Sequence, residues 1–244
     1  MLGCVEFCLP GRNLGEKLEA ARKHALWVEL VNDKKKDLSI LNSSSVEIKS
    51  VQAYLLHDLS LLSKNAAAKK AALTHVKDTI EMAGRVGAEN VLTVPTYGFE
   101  YVALPYKKCI KIFRELSNYA LDCDVKILIE ALSKKRTSFL PSLAEVNELV
   151  KAIDRENVRL AADTCHIYDS LLLCSGESAT EVLKKFRDEI VELHLKDSDS
   201  LPPGKGKINF KKILKISKNS LLCLEYKGKN LERDLEDSLE HLKN

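Results

Sequence analysis

The sequence predicts one α/β domain, a single (β/α)8 TIM barrel spanning residues 1–244. Three observations predict it. Eight short apolar runs have the length and residue types of buried strands. Amphipathic helical stretches separate most of them, and strand–helix alternation implies parallel strands joined by helical crossovers. No linker or low-complexity segment interrupts the chain, so nothing marks a second domain.

In chain order the strands are GCVEFCL (3–9), LWVELV (26–31), EIKSVQAYLL (47–56), NVLTVP (90–95), VKILIEAL (125–132), VRLAAD (158–163), IVELHLK (190–196) and LLCLEY (221–226). A helix over 13–24 follows the first strand after a Gly-containing turn. The stretch 65–86 is rich in strong helix formers and meets Gly87, a plausible stop. Residues 106–121 repeat the pattern. Ser142 and Glu145 form a capping-box pair that opens another helix. Residues 178–188 and 230–242 complete the set, while 34–45 leaves room for only a short helix. An open doubly wound sheet is the alternative, but no GxGxxG follows the first strand. Gly204 and Gly206, in PPGKGK, lack the spacing and the Ser/Thr of a phosphate-binding P-loop.

Composition narrows the function classes. With 45% hydrophobic and 30% charged residues, 244 residues suffice for a sizeable core. A net charge of only +3 argues against a nucleic-acid partner. Lys34, Lys35 and Lys36 read as a solvated turn or helix start. The seven cysteines are odd in number and include no CxxC pair, which suits free thiols in a reducing cytosol. Cys165 stands next to the candidate site and reads as packing. There is no export signal, and no apolar run approaches the roughly 18 residues of a membrane span. A soluble, cytoplasmic protein without a membrane partner is expected.

The strand ends carry the chemistry. In a barrel the active face is built at the C-terminal ends of the strands. Strand five ends in Glu130, and strand six in Asp163 with His166 three residues later. Strand seven holds His194, followed by Lys196 and Asp197, and strand eight ends in Glu225. Glu29 and His57 stand near the ends of strands two and three. Each has an ordinary explanation alone: a loop-capping carboxylate, a helix N-cap at Asp163, a hydrogen-bonded core histidine. Together, three carboxylates on one rim need a counter-charge. A divalent cation supplies it. Three carboxylates and one imidazole suit Mn²⁺ or Mg²⁺, with Co²⁺ or Zn²⁺ also compatible. His166 can reach past such an ion to a bound ligand.

LIEAL (128–132), AADTCHI (161–167), ELHLKDSDSLPPGKGKINF (192–210) and LLCLEY (221–226) resemble the xylose-isomerase-like barrel superfamily. Its members include sugar (phosphate) isomerases and epimerases and apurinic endonucleases. The resemblance implies one divalent metal ion held by Glu130, Asp163, His194 and Glu225. It implies Glu130 and Glu225 as the acid/base pair, moving a proton through an enediolate. It makes His166 a substrate-binding residue, with His57 and Lys196 as further candidates. The implied activity is isomerisation or epimerisation of a small sugar, sugar phosphate or related hydroxy-carbonyl compound. A lyase or dehydratase using the same enolate chemistry is the alternative, and a homo-oligomer is compatible with it. Two departures qualify the match. The arginine common after strand seven in such epimerases is absent from DSDSLPP, leaving Lys196 or Lys205 to substitute. The extra histidines of the endonucleases are missing from VPTYG and from Asp197–Ser198–Asp199, which places the nuclease reading last.

Overall fold

Eight parallel strands close into a barrel, with β8 paired to β1, in a computed structural model that describes residues 2–33, 36–98, 106–172 and 177–243. The strands are β1 (Leu2–Val5), β2 (Trp27–Val31), β3 (Ile48–Gln52), β4 (Asn90–Thr93), β5 (Lys126–Glu130), β6 (Val158–Asp163), β7 (Ile190–Leu195) and β8 (Leu221–Leu224). The helices are α1 (Leu14–Lys23), α2 (Ala66–Val86), α3 (Tyr106–Leu121), α4 (Leu143–Ile153), α5 (Thr164–Leu171), α6 (Ala179–Phe186), α7 (Phe210–Ile216) and α8 (Leu231–Lys243). Among the described residues, no helix is long and apolar enough to cross a membrane.

The expected order of elements is present, with differences at strand ends. All strands but the second and the sixth stop earlier than their apolar runs. The chain leaves the sheet in short 3-10 turns at Glu6–Cys8 and Tyr54–His57. Cys8, Leu9 and Leu56 nevertheless stay buried, so the apolar run records packing against the barrel rather than membership of the ladder. Between β2 and β3 only a 3-10 segment, Ser39–Ser43, forms. Between β6 and β7 there are two helices, because Asp163 itself caps α5 with its side chain. Lys36 departs from the expected solvated run: it is partly buried, in an ion pair with buried Glu6. Lys34 and Lys35 lie outside the described residues.

Alternation along the strands sorts side chains into an outer core and the barrel interior. Val28, Leu30, Ile127, Ile129, Leu193 and Leu195 belong to the large buried cluster beneath the helices. Inside, Leu92, Leu128 and Ala161 form a separate small cluster. Near the N-terminal end of the barrel Trp27 lies over Gly3, where an added Cβ would stand 2.2 Å from the indole. Only glycine fits at that position.

The loop after β7 is built around one carboxylate. Asp197 Oδ1 accepts from the amides of Ser198 at 2.8 Å and Ile208 at 3.0 Å. Its Oδ2 accepts from Gly204 at 3.0 Å and Gly206 at 2.9 Å. A Cβ on Gly206 would lie 2.4 Å from Asp197 Oδ1, so close approach demands glycine there. The PPGKGK stretch thus wraps a buried aspartate. Lys205 points away from the barrel mouth and pairs with Asp237 of α8, so it cannot stand in for the missing arginine.

Candidate active site

Strand register brings four residues to one point at the barrel mouth. Asp163 pairs with His194, and Leu195 with Leu224, which sets Glu225 just beyond β8 on the same rim. Glu130 closes β5 beside Ala161 of β6. Glu130, Asp163, His194 and Glu225 each offer a ligand atom, and these atoms all lie within 4.8 Å of one another. His194 Nδ1 is 3.6 Å from Glu130 Oε1 and 3.3 Å from Glu225 Oε2. Both His194 Nδ1 and Glu130 Oε1 are buried without a hydrogen bond. Unpaired buried polar atoms are costly, so two such atoms aimed at a shared space mark a place for a further group. Three carboxylates and an imidazole fit a divalent cation.

Asp163 performs two tasks. Its Oδ1 accepts from the His166 amide at 2.9 Å, capping α5, while its Oδ2 faces Lys196 Nζ at 2.8 Å. The ordinary N-cap role and the place in the cluster are therefore both real, one oxygen for each. Lys196 also touches Glu225, whose second oxygen accepts from Gln52 Nε2 at 3.2 Å. Burial opposes the lysine charge, but the Asp163 and Glu225 carboxylates outweigh it and hold the Lys196 pKa well above the usual value. Burial likewise opposes ionisation of Glu225, yet Lys196 and His194 hold its carboxyl well below the ordinary range. Lys196, expected as a substrate-binding residue, is thus the internal counter-ion of the cluster and also lines the cavity.

Beneath the mouth lies a second polar layer. His194 Nε2 is 3.3 Å from Glu29 Oε2 and 3.7 Å from Glu192 Oε1. Ser50 Oγ donates to Glu192 Oε2 at 2.5 Å. Glu29 is fully buried, and burial pushes its pKa well above the usual carboxylate value. These contacts hold the imidazole by Nε2 and leave Nδ1 facing the mouth, the arrangement that orients a metal-ligating histidine. Glu29 belongs here rather than at the rim. Glu192 escaped notice in the sequence because it sits in an apolar strand; its place two residues before His194 sets it on the same face.

Above the cluster opens a cavity of ≈ 670 Å³, whose lining includes Glu130, Glu225, His166, Lys196, Arg136 and His57. His166 is nearly buried, and desolvation, helped by Lys196, lowers its pKa to about 4. A neutral imidazole therefore faces the cavity near neutral pH. His57 is exposed on the rim, apart from the four-residue cluster. Its Nδ1 donates to the Tyr54 carbonyl at 2.7 Å, and its ring packs against Tyr97 at 4.6 Å. Arg136 Nη1 donates to the Tyr97 hydroxyl at 3.0 Å. Gln52, Tyr97 and Arg136 carried no signal in the sequence, since none belongs to a spaced pattern. The Cys165 thiol is buried, and burial together with Asp163 pushes its pKa up to about 11, as befits a packing residue. Six cysteines are free thiols, and Cys174 lies outside the described residues.

Known proteins share this architecture. A family model described as a xylose isomerase-like TIM barrel matches residues 4–244. Uncharacterized protein MJ1614 of Methanocaldococcus jannaschii is 27% identical over 251 residues, covering 95% of this chain and 93% of that protein. Inosose isomerase of Halalkalibacterium halodurans is 25% identical over 168 residues, covering 64% of this chain and 57% of that protein. The crystal structure of 3-keto-D-glucoside 4-epimerase, YcjR, from E. coli has a TM-score of 0.84 and 15% identity, covering 99% of this chain and 98% of that one. At that identity the likeness speaks for the fold alone. The family match runs over nearly the whole chain, and with it this protein belongs to the xylose isomerase-like TIM barrel family.

Proposed function

We propose that this protein is a divalent-metal-dependent isomerase or epimerase of small hydroxy-carbonyl compounds of the sugar class. One observation carries the reading: Glu130, Asp163, His194 and Glu225 converge within 4.8 Å at the floor of a cavity of small-molecule size. The name of the similar inosose isomerase supports the same class.

Glu130, Asp163, His194 and Glu225 would hold the ion. When bound, a divalent cation supplies Lewis-acid polarisation of a substrate carbonyl. The remaining work belongs to the side chains. Glu130 and Glu225 reach the mouth from β5 and from beyond β8, with the β6 and β7 ligands between them. They therefore approach a substrate from different directions. One takes the proton from the carbon beside the carbonyl, leaving an enediolate, and the other returns a proton to that carbon or its neighbour. Lys196 helps keep Glu225 ionised and opposes the rise that burial imposes on the Asp163 pKa. Neutral His166 donates to or accepts from a substrate oxygen.

The test is incubation of the Mn²⁺- or Co²⁺-loaded protein with ketoses, aldoses and their phosphates in heavy water. Deuterium should enter the carbon next to the carbonyl. Glu130→Gln and Glu225→Gln should each slow its arrival about 10²-fold or more. His166→Ala should weaken substrate handling while metal content stays near wild type. Turnover without solvent deuterium would mean a hydride shift and would end the two-glutamate assignment.

A further inference from the structure

The charges that line the cavity are divided by position. Its described carboxylates are Glu130 and Glu225, both committed to the cluster on its floor. Apart from Lys196, the charged residues of its wall are Arg136, Lys227 and Lys229, all cationic. Among the described residues, none of these three side chains has a carboxylate partner. Lys135, one residue before Arg136, does pair with Asp169, and Lys205 pairs with Asp237.

Arg136 is also fixed in place. Its amide donates to Ser133 O at 2.8 Å, and its carbonyl accepts from the Gly98 amide at 2.7 Å. Its side chain is half-buried and steered by the Tyr97 hydroxyl at 3.0 Å, while Tyr97 is packed by His57. Arg136 and His166 line the same cavity. Lys227 is held through its amide by Ser200 O at 2.8 Å. A positioned guanidinium with unused donors matches a phosphate in planar, bidentate fashion.

We propose that the substrate is a phosphate monoester of a hydroxy-carbonyl compound, with its phosphate on Arg136, Lys227 and Lys229 and its carbonyl end at Glu130 and Glu225. This deepens the function proposed above and rests on it. A phosphate monoester carries about −1.5 to −2 charges near neutral pH, which three cations can neutralise. With a neutral sugar the half-buried guanidinium would meet no anion among the described residues.

The test compares D-fructose with D-fructose 6-phosphate, and D-ribulose with D-ribulose 5-phosphate, by calorimetric binding to the Mn²⁺-loaded full chain. D-fructuronate serves as a carboxylate control. The esters should bind about 10- to 100-fold more tightly than their parent sugars, the worth of one or two charge-assisted hydrogen bonds. Arg136→Gln should remove most of that advantage, and Lys227→Gln part of it, with metal content unchanged. The proposal is overturned if no ester binds, if parent sugars or fructuronate bind as tightly, or if the advantage survives in Arg136→Gln. Heavy-water exchange on the same samples separates the two claims. Arg136-dependent ester binding without exchange upholds the anion site and defeats the isomerase reading. Exchange on neutral ketoses without an ester advantage does the reverse.

Discussion

Lys196 is the residue on which the charge balance of the site turns. Its ammonium lies between Asp163 and Glu225, two of the four groups that would hold an ion. Removing one partner of a buried ion pair costs about 3–5 kcal/mol, because the other charge stays behind. Lys196→Met should therefore lower the melting temperature of the metal-free protein, and Mn²⁺ should restore much of the loss. Identical melting with and without Mn²⁺ in that variant would contradict the counter-ion role. His166 makes a pH prediction. Its folded pKa is about 4 against an ordinary 6.5, so in that window the unfolded chain binds a proton that the folded chain refuses. Stability is complete above the unfolded value and falls as pH drops towards about 4, by up to about 1.4 kcal/mol per pH unit. Urea unfolding of the metal-free protein from pH 7 downwards should show this slope, and His166→Gln should flatten it. An equal slope in both proteins would assign the pH dependence to other groups. At this scale the sequence was legible where a polar residue interrupts an apolar strand end, as at Glu130, Asp163, His194 and Glu225. It was silent at Arg136, whose loop carries no pattern, and at Gln52, whose partner Glu225 lies 173 positions away in sequence.

The elements that frame the site depend on two tight fits. Gly3 passes beneath Trp27 with no room for a methyl group. Gly3→Ala should destabilise the fold by about 1–3 kcal/mol, the usual range for overpacking a filled core, as read by chemical denaturation. An unchanged midpoint would mean that the indole moves freely. In the loop after β7, four amides converge on Asp197. Each buried amide left unpaired costs about 1–3 kcal/mol, so Asp197→Ala should loosen the whole loop. Hydrogen exchange at Gly204, Gly206 and Ile208 should accelerate together in that variant; protection unchanged at all three would contradict the single-carboxylate scaffold. Strand order and most helices could be read from periodicity, because burial on both faces of a parallel strand leaves a continuous apolar run. Strand ends could not, because residues such as Leu9 and Leu56 are buried outside the ladder. The two short helices after β6 and β7 begin at side-chain caps, Asp163 and Asn209, and are too brief for a strong periodic signal.

At the scale of the whole molecule, closure of the barrel joins residues that are far apart in the chain. β5, β6, β7 and the end of β8 lie side by side, so their terminal polar residues meet although 95 positions separate Glu130 from Glu225. The same closure sets Glu29 of β2 under His194 of β7 across the barrel interior. One layer thus orients the imidazole while the layer above presents its free nitrogen with three carboxylates to the cavity. This upper layer has the donor set of a metal centre. Its most direct test is metal analysis of the purified chain, with calorimetric titration of the stripped protein by Mn²⁺, Co²⁺ and Zn²⁺. Wild type should bind one divalent ion per chain, and Asp163→Ala should lose most of that binding. A wild-type protein that takes up no stoichiometric ion from any of the three metals would contradict it.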